Sequence, residues 1–307
     1  DYLARMLATP NPCVRRVVAK MLGHARGGLP RLLAALGSST NRAREAALYG
    51  LGVAEDPATR ERLERIMADN DPAIAAMAAW AVGEIEDPRS VGPLSRLLNH
   101  RSVLVQQSAI RALGGIEDPK AVEGLLPKLR ESDPVTRMLA AGALGSIEST
   151  AATTALLPLA GDSDERVRLA AVRALGDIED RRAAPGLAKA LTDRSIEVRR
   201  AAARALGDLD GLERAPSELI GALKSDDLEL RRAAAQALGS IEDPATADAL
   251  GALIGDADVE VRRAAVQGLC SIDHPNVATW LMKALKDDDA EVRRTAAEGL
   301  GEHGKRR

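Results

Sequence analysis

The decapeptide "VRRAAARALG" at 198–207 recurs in degenerate form along the whole of a 307-residue chain. Its ten copies end at Gly23, Gly52, Gly83, Gly114, Gly145, Gly176, Gly207, Gly239, Cys270 and Gly301, at spacings of 29, 31, 31, 31, 31, 31, 32, 31 and 31 residues. A period of this length holds one supersecondary unit, which cannot cover its own apolar face. The units must therefore stack to bury a core.

Each unit reads as two helices, A and B. Helix B is preceded by Asn11, Thr40, Asp71, Ser102, Asp133, Asp164, Ser195, Asp227, Asp258 or Asp289, all residues whose side-chain oxygen can accept a free first-turn amide. Glu197, Glu229, Glu260 and Glu291 follow in the first turn, where the helix dipole favours an anion. The glycine ending each copy is expected to cap helix B in the left-handed conformation. Asp-Pro at 56–57, 87–88, 118–119 and 243–244 opens helix A, the proline taking a first position that needs no amide partner. In the copy at 198–207, Val198, Ala202, Ala205 and Leu206 fall on one side at 100° per residue. The Leu206 column is leucine in nine copies and Val82 in the tenth. With two Trp, two Tyr and no Phe, the core must be packed by alanine and leucine at close helix–helix approach.

The pattern "DxxxEVRRAAxxALGxIxDPxAVxxL" resembles the HEAT-like repeats named after phycobilisome lyases, over essentially the whole chain. The resemblance implies an all-α fold, an α-solenoid built as a right-handed superhelix of about ten two-helix repeats in one continuous array over 1–307. It also implies a ladder between the first Arg of each "VRR" and an Asp six residues earlier: Asp162 with Arg168, Asp193 with Arg199, Asp256 with Arg262 and Asp287 with Arg293. Arg15, Arg44, Arg137 and Arg231 match on the Arg side only. Ala75 and Gln106 break the pattern and leave Asp69 without its partner in the same repeat, so the ladder is expected to lapse in repeats 3 and 4.

Irregularities are local. The short spacing falls at "HARGGLPR" (24–31), which reads as drift in a terminal repeat or a hinge at the double glycine; the extra residue in "GDLDGLERAP" (207–216) reads as a longer loop. Residue 1 is expected inside a helix A and the last helix B runs into "EHGKRR", so the chain reads as a piece of a longer protein whose ends invite self-association. Trp280, on helix A of repeat 10, is expected to cover that end of the stack.

Little in the chain points to catalysis. Cys13 and Cys270 lie eight repeats apart, too far for a disulfide, which suits a reducing, cytoplasmic compartment. His24, His100, His274 and His303 are scattered without metal-ligand spacing, and phosphate loops, nucleophile elbows and HExxH are missing. No cofactor, metal or catalytic residue is expected. No apolar run reaches the roughly 18 residues of a membrane helix, and the net charge of -3 does not favour a polyanion partner.

What varies is the outer face of helix B, which the resemblance places on a concave surface. One column there reads Arg16, Glu45, Ala76, Gln107, Met138, Leu169, Arg200, Arg232, Arg263, Arg294, and the next reads Lys20, Tyr49, Trp80, Arg111, Gly142, Arg173, Arg204, Gln236, Gln267, Glu298. Repeats 7–10 keep arginine in the first column, whereas repeats 2–6 replace it. Tyr49 and Trp80 are neighbours one repeat apart; Met77, Met138, Leu139 and Leu169 extend an apolar strip edged by Glu45, Glu84, Gln107 and Arg111. Interface cores favour aromatics, Met and Arg. The expected function is a non-enzymatic scaffold gripping a protein or peptide, with Glu45, Tyr49, Ala76, Met77, Trp80, Glu84, Gln107, Arg111, Met138 and Leu169 as the contact set. The alternatives are a bilin lyase or lyase-like chaperone subunit, nucleic-acid binding along the arginines of repeats 7–10, and a regulatory array of a larger enzyme or membrane protein.

Overall fold

The computed structural model describes the backbone of residues 2–306 and the side chains of residues 2–302. Asp1 and the His303 side chain lie outside them. The described chain is an α-solenoid that divides into two compact units, Asp1–Ser149 and Thr150–Arg307, each of five repeats. In the first unit the B helices are Pro12–His24, Asn41–Ala54, Pro72–Gly83, Val103–Ile116 and Pro134–Ser146; in the second they are Glu165–Asp177, Ile196–Asp208, Leu228–Ile241, Val259–Ser271 and Ala290–Arg306. The A helices are shorter, from four to eight residues.

The helix starts follow the capping chemistry. The side chains of Asn11, Asp71, Asp133, Asp164, Asp227, Asp258 and Asp289 accept first-turn amides, while Thr40, Ser102 and Ser195 occupy the same position without a side-chain cap bond. Each Asp-Pro opens a 3-10 turn in which the Asp accepts the amide two residues on, as Asp56 does from Ala58 and Asp87 from Arg89. Val198, Ala202, Ala205 and Leu206 are buried, as are Ile74, Ala78, Ala81 and Val82.

The glycines ending the copies do not cap their helices. The positive φ values fall three residues later, on Glu55, Glu86, Glu117, Glu148, Glu179 and Glu242, at 50–56°. The amides of Glu55, Glu86, Glu148 and Glu179 bond back to the glycine carbonyls, as Glu86 does to Gly83 at 2.9 Å, and that of Glu242 to Leu238 O. A left-handed glutamate costs on the order of 1 kcal/mol, yet glycine stays where it is because the next B helix lies against it. A Cβ on Gly83 would stand 2.7 Å from the Cα of Ala112; on Gly114, 2.9 Å from Ala143; on Gly207, 2.8 Å from Ala237. In these repeats a bare backbone is set against the next repeat's alanine, while Gly23 faces Gly50 and Gly239 faces Gly268.

Repeat 9 reverses this arrangement. Cys270 stands in the glycine column, and the facing residue of repeat 10 is Gly299, whose added Cβ would meet Cys270 Sγ at 2.4 Å. The thiol fills the space a methyl vacated, and burial pushes its pKa up to about 11. The double glycine of repeat 1 is likewise a packing device. Gly27 is left-handed (φ 73°), and a Cβ on Gly28 would strike the Leu22 carbonyl at 1.8 Å. The short connection is a tight turn, and glycine is what lets it close.

The charge ladder runs between repeats rather than within them. Arg168 reaches forward to Asp193 (2.8 Å), Arg231 to Asp256 (3.1 Å) and Arg262 to Asp287 (2.8 Å), and Arg44 reaches Asp69. Six residues back, Arg168, Arg231 and Arg262 each donate to a backbone carbonyl, as Arg168 does to Asp162 O at 3.0 Å, whereas Arg44 turns to the Asn41 side chain. The Asp carboxylate meanwhile accepts the amide two residues ahead, as Asp193 does from Ser195. Asp69 therefore has its partner in repeat 2, and Gln106 keeps the backbone half of the motif by donating to His100 O at 2.6 Å. Among the described residues no buried side-chain polar atom lacks a partner, and no helix is long and apolar enough to cross a membrane.

Two predictions follow from the packing and the ladder. Gly299→Ala should destabilise by about 1–3 kcal/mol, as overpacking does. Adding Cys270→Gly should recover most of that loss, since it restores the glycine–alanine order seen elsewhere; a double-mutant cycle from denaturant melts showing simple additivity would contradict the contact. The Arg44 and Arg262 guanidiniums hold Asp69 and Asp287 below the usual carboxylate range; at Asp193 burial pushes the pKa up, and the Arg168 bond, the Ser195 amide and the nearby arginine charges together still hold it down. Folded pKa values below the unfolded ones stabilise the protein above the unfolded value near 4, and that stabilisation is lost as pH falls through the folded values. The Tm should accordingly hold down to about pH 5 and fall below pH 4, less steeply in Arg168→Ala.

Candidate functional site

The first unit contains a groove of about 510 Å³ lined by Arg16, Glu45, Tyr49, Ala73, Ala76, Met77, Trp80, Leu104, Ser108 and Arg111. All ten come from the B helices of repeats 1 to 4. Tyr49 and Trp80 stack face to face, with ring centroids 5.5 Å apart and planes inclined by 11°. Arg16 adds a third layer, its guanidinium 4.9 Å from the centre of the Tyr49 ring. Rings offered at successive repeats by the same helical face thus form a continuous cation–aromatic–aromatic column.

Glycine again sets the position. A Cβ on Gly52 would lie 2.6 Å from the Trp80 ring, so the indole rests against the bare backbone of repeat 2 and reaches Tyr49. Trp80 is consequently half-buried rather than exposed. Its side chain also bonds to Glu84, one turn on. Partial burial and the neighbouring Glu55 charge raise the Glu84 pKa, an effect that bond opposes.

Of the expected contact set, Glu45, Tyr49, Ala76, Met77, Trp80 and Arg111 line the groove. Glu84 stands beside them, bonded to Trp80. Ala76 is 4 % exposed and forms the floor, a correction to its expected place on the outer row. Gln107 does not join them. Its amide donates to Asp133 (3.0 Å) and Thr136 (3.3 Å) of the next repeat, doing in neutral form what an arginine does elsewhere. Met138 is half-buried outside the groove lining, and Leu169 belongs to the second unit.

Sequence reasoning missed Arg16 as a stacking partner and missed Ala73 and Leu104. The signal was present one column earlier. Where repeats 7–10 carry Glu197, Glu229, Glu260 and Glu291, repeats 3 and 4 carry Ala73 and Leu104, and Leu104 is 50 % exposed.

The arginine column of repeats 7–10 is committed to the fold. Arg200 binds Asp227 and Glu197, Arg263 binds Asp289 (2.8 Å) and Glu260, and Arg232 and Arg294 pair with Glu229 and Glu291. Trp280 also lies on a glycine of the preceding repeat, Gly251, and donates its indole N–H to Asp248 at 3.0 Å. It ties the A helices of repeats 9 and 10 together within the stack. Among the described residues no cluster of three or more His, Cys, Asp or Glu could hold a metal ion.

The model of a family described as HEAT repeats matches six overlapping stretches, 29–102, 59–127, 92–175, 122–195, 184–263 and 248–307. No curated protein sequence matches. Among solved structures, an engineered protein is similar over 99% of this chain and 98% of its own, at 23% identity and a TM-score of 0.64. The Escherichia coli protein YibA is similar over 93% and 96%, at 18% identity and 0.59. The complex of CpcE and CpcF of phycocyanin lyase from a Nostoc species covers 80% and 94%, at 24% identity and 0.47. Likeness at these identities establishes the fold alone.

Replacing Gly52 by alanine should push the indole of Trp80 off repeat 2. The tryptophan emission should shift to the red, and it should do so only when Trp80 is present, with Trp280 giving the constant background. An unchanged spectrum would contradict the contact.

Proposed function

Since this chain belongs to the HEAT-repeat family, a class of stacked-helix scaffolds, we propose that it is a non-catalytic scaffold that binds a protein or peptide in the groove of repeats 1 to 4. The observation that carries this reading is the Arg16–Tyr49–Trp80 column beside exposed Leu104. In a chain otherwise packed with alanine and leucine, three of its largest side chains are gathered on one open face and not spent on the core. Aromatic and Arg anchors beside a half-buried apolar floor are what interface centres use. Neighbouring Glu45 and Arg111 supply a polar rim.

A reducing, cytoplasmic setting belongs to the same reading, supported by the two free thiols, Cys13 and Cys270. Nucleic-acid binding along repeats 7–10 is disfavoured by the carboxylate partners of those arginines.

Panning a random peptide library against the protein tests this. Selected clones should lose binding to a Tyr49→Ala, Trp80→Ala variant of unchanged helical circular dichroism, and keep it for Trp280→Phe. Clones that bind wild type and the double variant equally would place the site elsewhere.

A further inference from the structure

The groove has a charge layout that specifies more than apolar contact. Arg16 closes one end and Arg111 the other, and among the described residues neither has a carboxylate partner, unlike Arg44, Arg168, Arg200, Arg231, Arg262 and Arg263. Arg16 is held in place only by the Tyr49 ring, and Arg111 is exposed. Between them lies an uncharged floor of Ala73, Ala76, Met77, Trp80 and Leu104. The anions stand to the sides: Glu45 one turn before Tyr49, Glu84 one turn after Trp80. A carboxylate laid centrally would meet like charge, whereas one at either end meets an arginine free to form a charge-assisted pair.

The dimensions limit the occupant. The guanidinium of Arg16 lies one ring layer beyond Tyr49, and Arg111 one helix layer beyond Trp80, so the cations are roughly 15–20 Å apart. Five or six residues of extended chain span that length at about 3.3 Å each. A volume of about 510 Å³ receives a few side chains.

We propose that the groove takes an extended peptide segment with one or two apolar side chains at its centre and a carboxylate about two or three residues to either side. The apolar centre packs on Trp80, Met77 and Leu104, and the flanking acids pair with Arg16 and Arg111. This rests on the reading of the groove as a docking site and adds the chemistry of what docks.

The test uses the full chain and fluorescein-labelled eight-residue synthetic peptides with a Leu-Phe centre flanked on both sides by Glu, by Lys or by Ser, read by fluorescence anisotropy. The Glu-flanked peptide should bind at least tenfold tighter than the Lys-flanked one and weaken as salt rises. Arg16→Glu with Arg111→Glu, both at exposed positions, should reverse the preference. Leu104→Glu, also on the surface, should cost tenfold or more for every peptide. Equal affinity for the three peptides, a preference untouched by the charge reversal, or no binding by any of them would overturn the proposal. Binding that depends on Leu104 and Trp80 but ignores flank charge would remove this inference and leave the docking site. Binding indifferent to both residues would remove both.

Discussion

The close approach of one B helix to the next, glycine against alanine, is the constraint from which the rest of the structure follows. A chain without phenylalanine fills its core with leucine and alanine and brings backbones together where aromatic rings would otherwise fill the gaps. Dispersion between small, closely fitted surfaces then does the work that aromatic cores do in other proteins. The contact recurs at Gly83 with Ala112, Gly114 with Ala143, Gly176 with Ala205 and Gly207 with Ala237. Where a larger side chain enters the glycine column, at Cys270, the facing residue is Gly299; two further pairs, Gly23 with Gly50 and Gly239 with Gly268, set glycine against glycine.

That spacing also sets the electrostatics. Helices packed this closely bring Arg44, Arg168, Arg231 and Arg262 within reach of the aspartate 25 residues on, in the turn that leads into the next repeat's helix B. One guanidinium then ties three things: the carbonyls of its own inter-helix turn, the carboxylate of the next turn and, through that carboxylate, the amide that starts the next helix. Glycine packing gives the stack its pitch; the arginines fix its register. The same spacing brings Trp80 over Gly52 and Tyr49, so the candidate site is a local use of the general packing rule.

The groove is where the repeat gives up its own rule. Repeats 3 and 4 lack the ladder arginine, and their first-turn glutamates are replaced by Ala73 and Leu104. The second change puts apolar side chains in the groove beside Trp80. A face that binds only its own neighbours in repeats 7–10 becomes, in repeats 1 to 4, a face with uncommitted cations and an apolar floor. This is the sense in which the unit is specialised for contact with something outside itself.

The sequence by itself determined the period, the helix pairs, the capping residues and the buried columns, because each depends on what a residue does within its own helix: hydrogen-bonding a first-turn amide or falling on one side at 100° per residue. It also placed Tyr49 and Trp80 as neighbours, since equivalent positions of stacked repeats must meet. Only the tertiary structure decided the offset between one repeat and the next. That offset sent the arginines forward to the next repeat's aspartates instead of back to their own, and made the glycines sites of close approach rather than caps. It turned Gln107 toward Asp133, sank Ala76 into the floor and brought Arg16 over the Tyr49 ring of the neighbouring column. Periodicity states which face a side chain leaves from. How far it reaches, and against which neighbour it stops, is fixed by the packing of the helices it must cross.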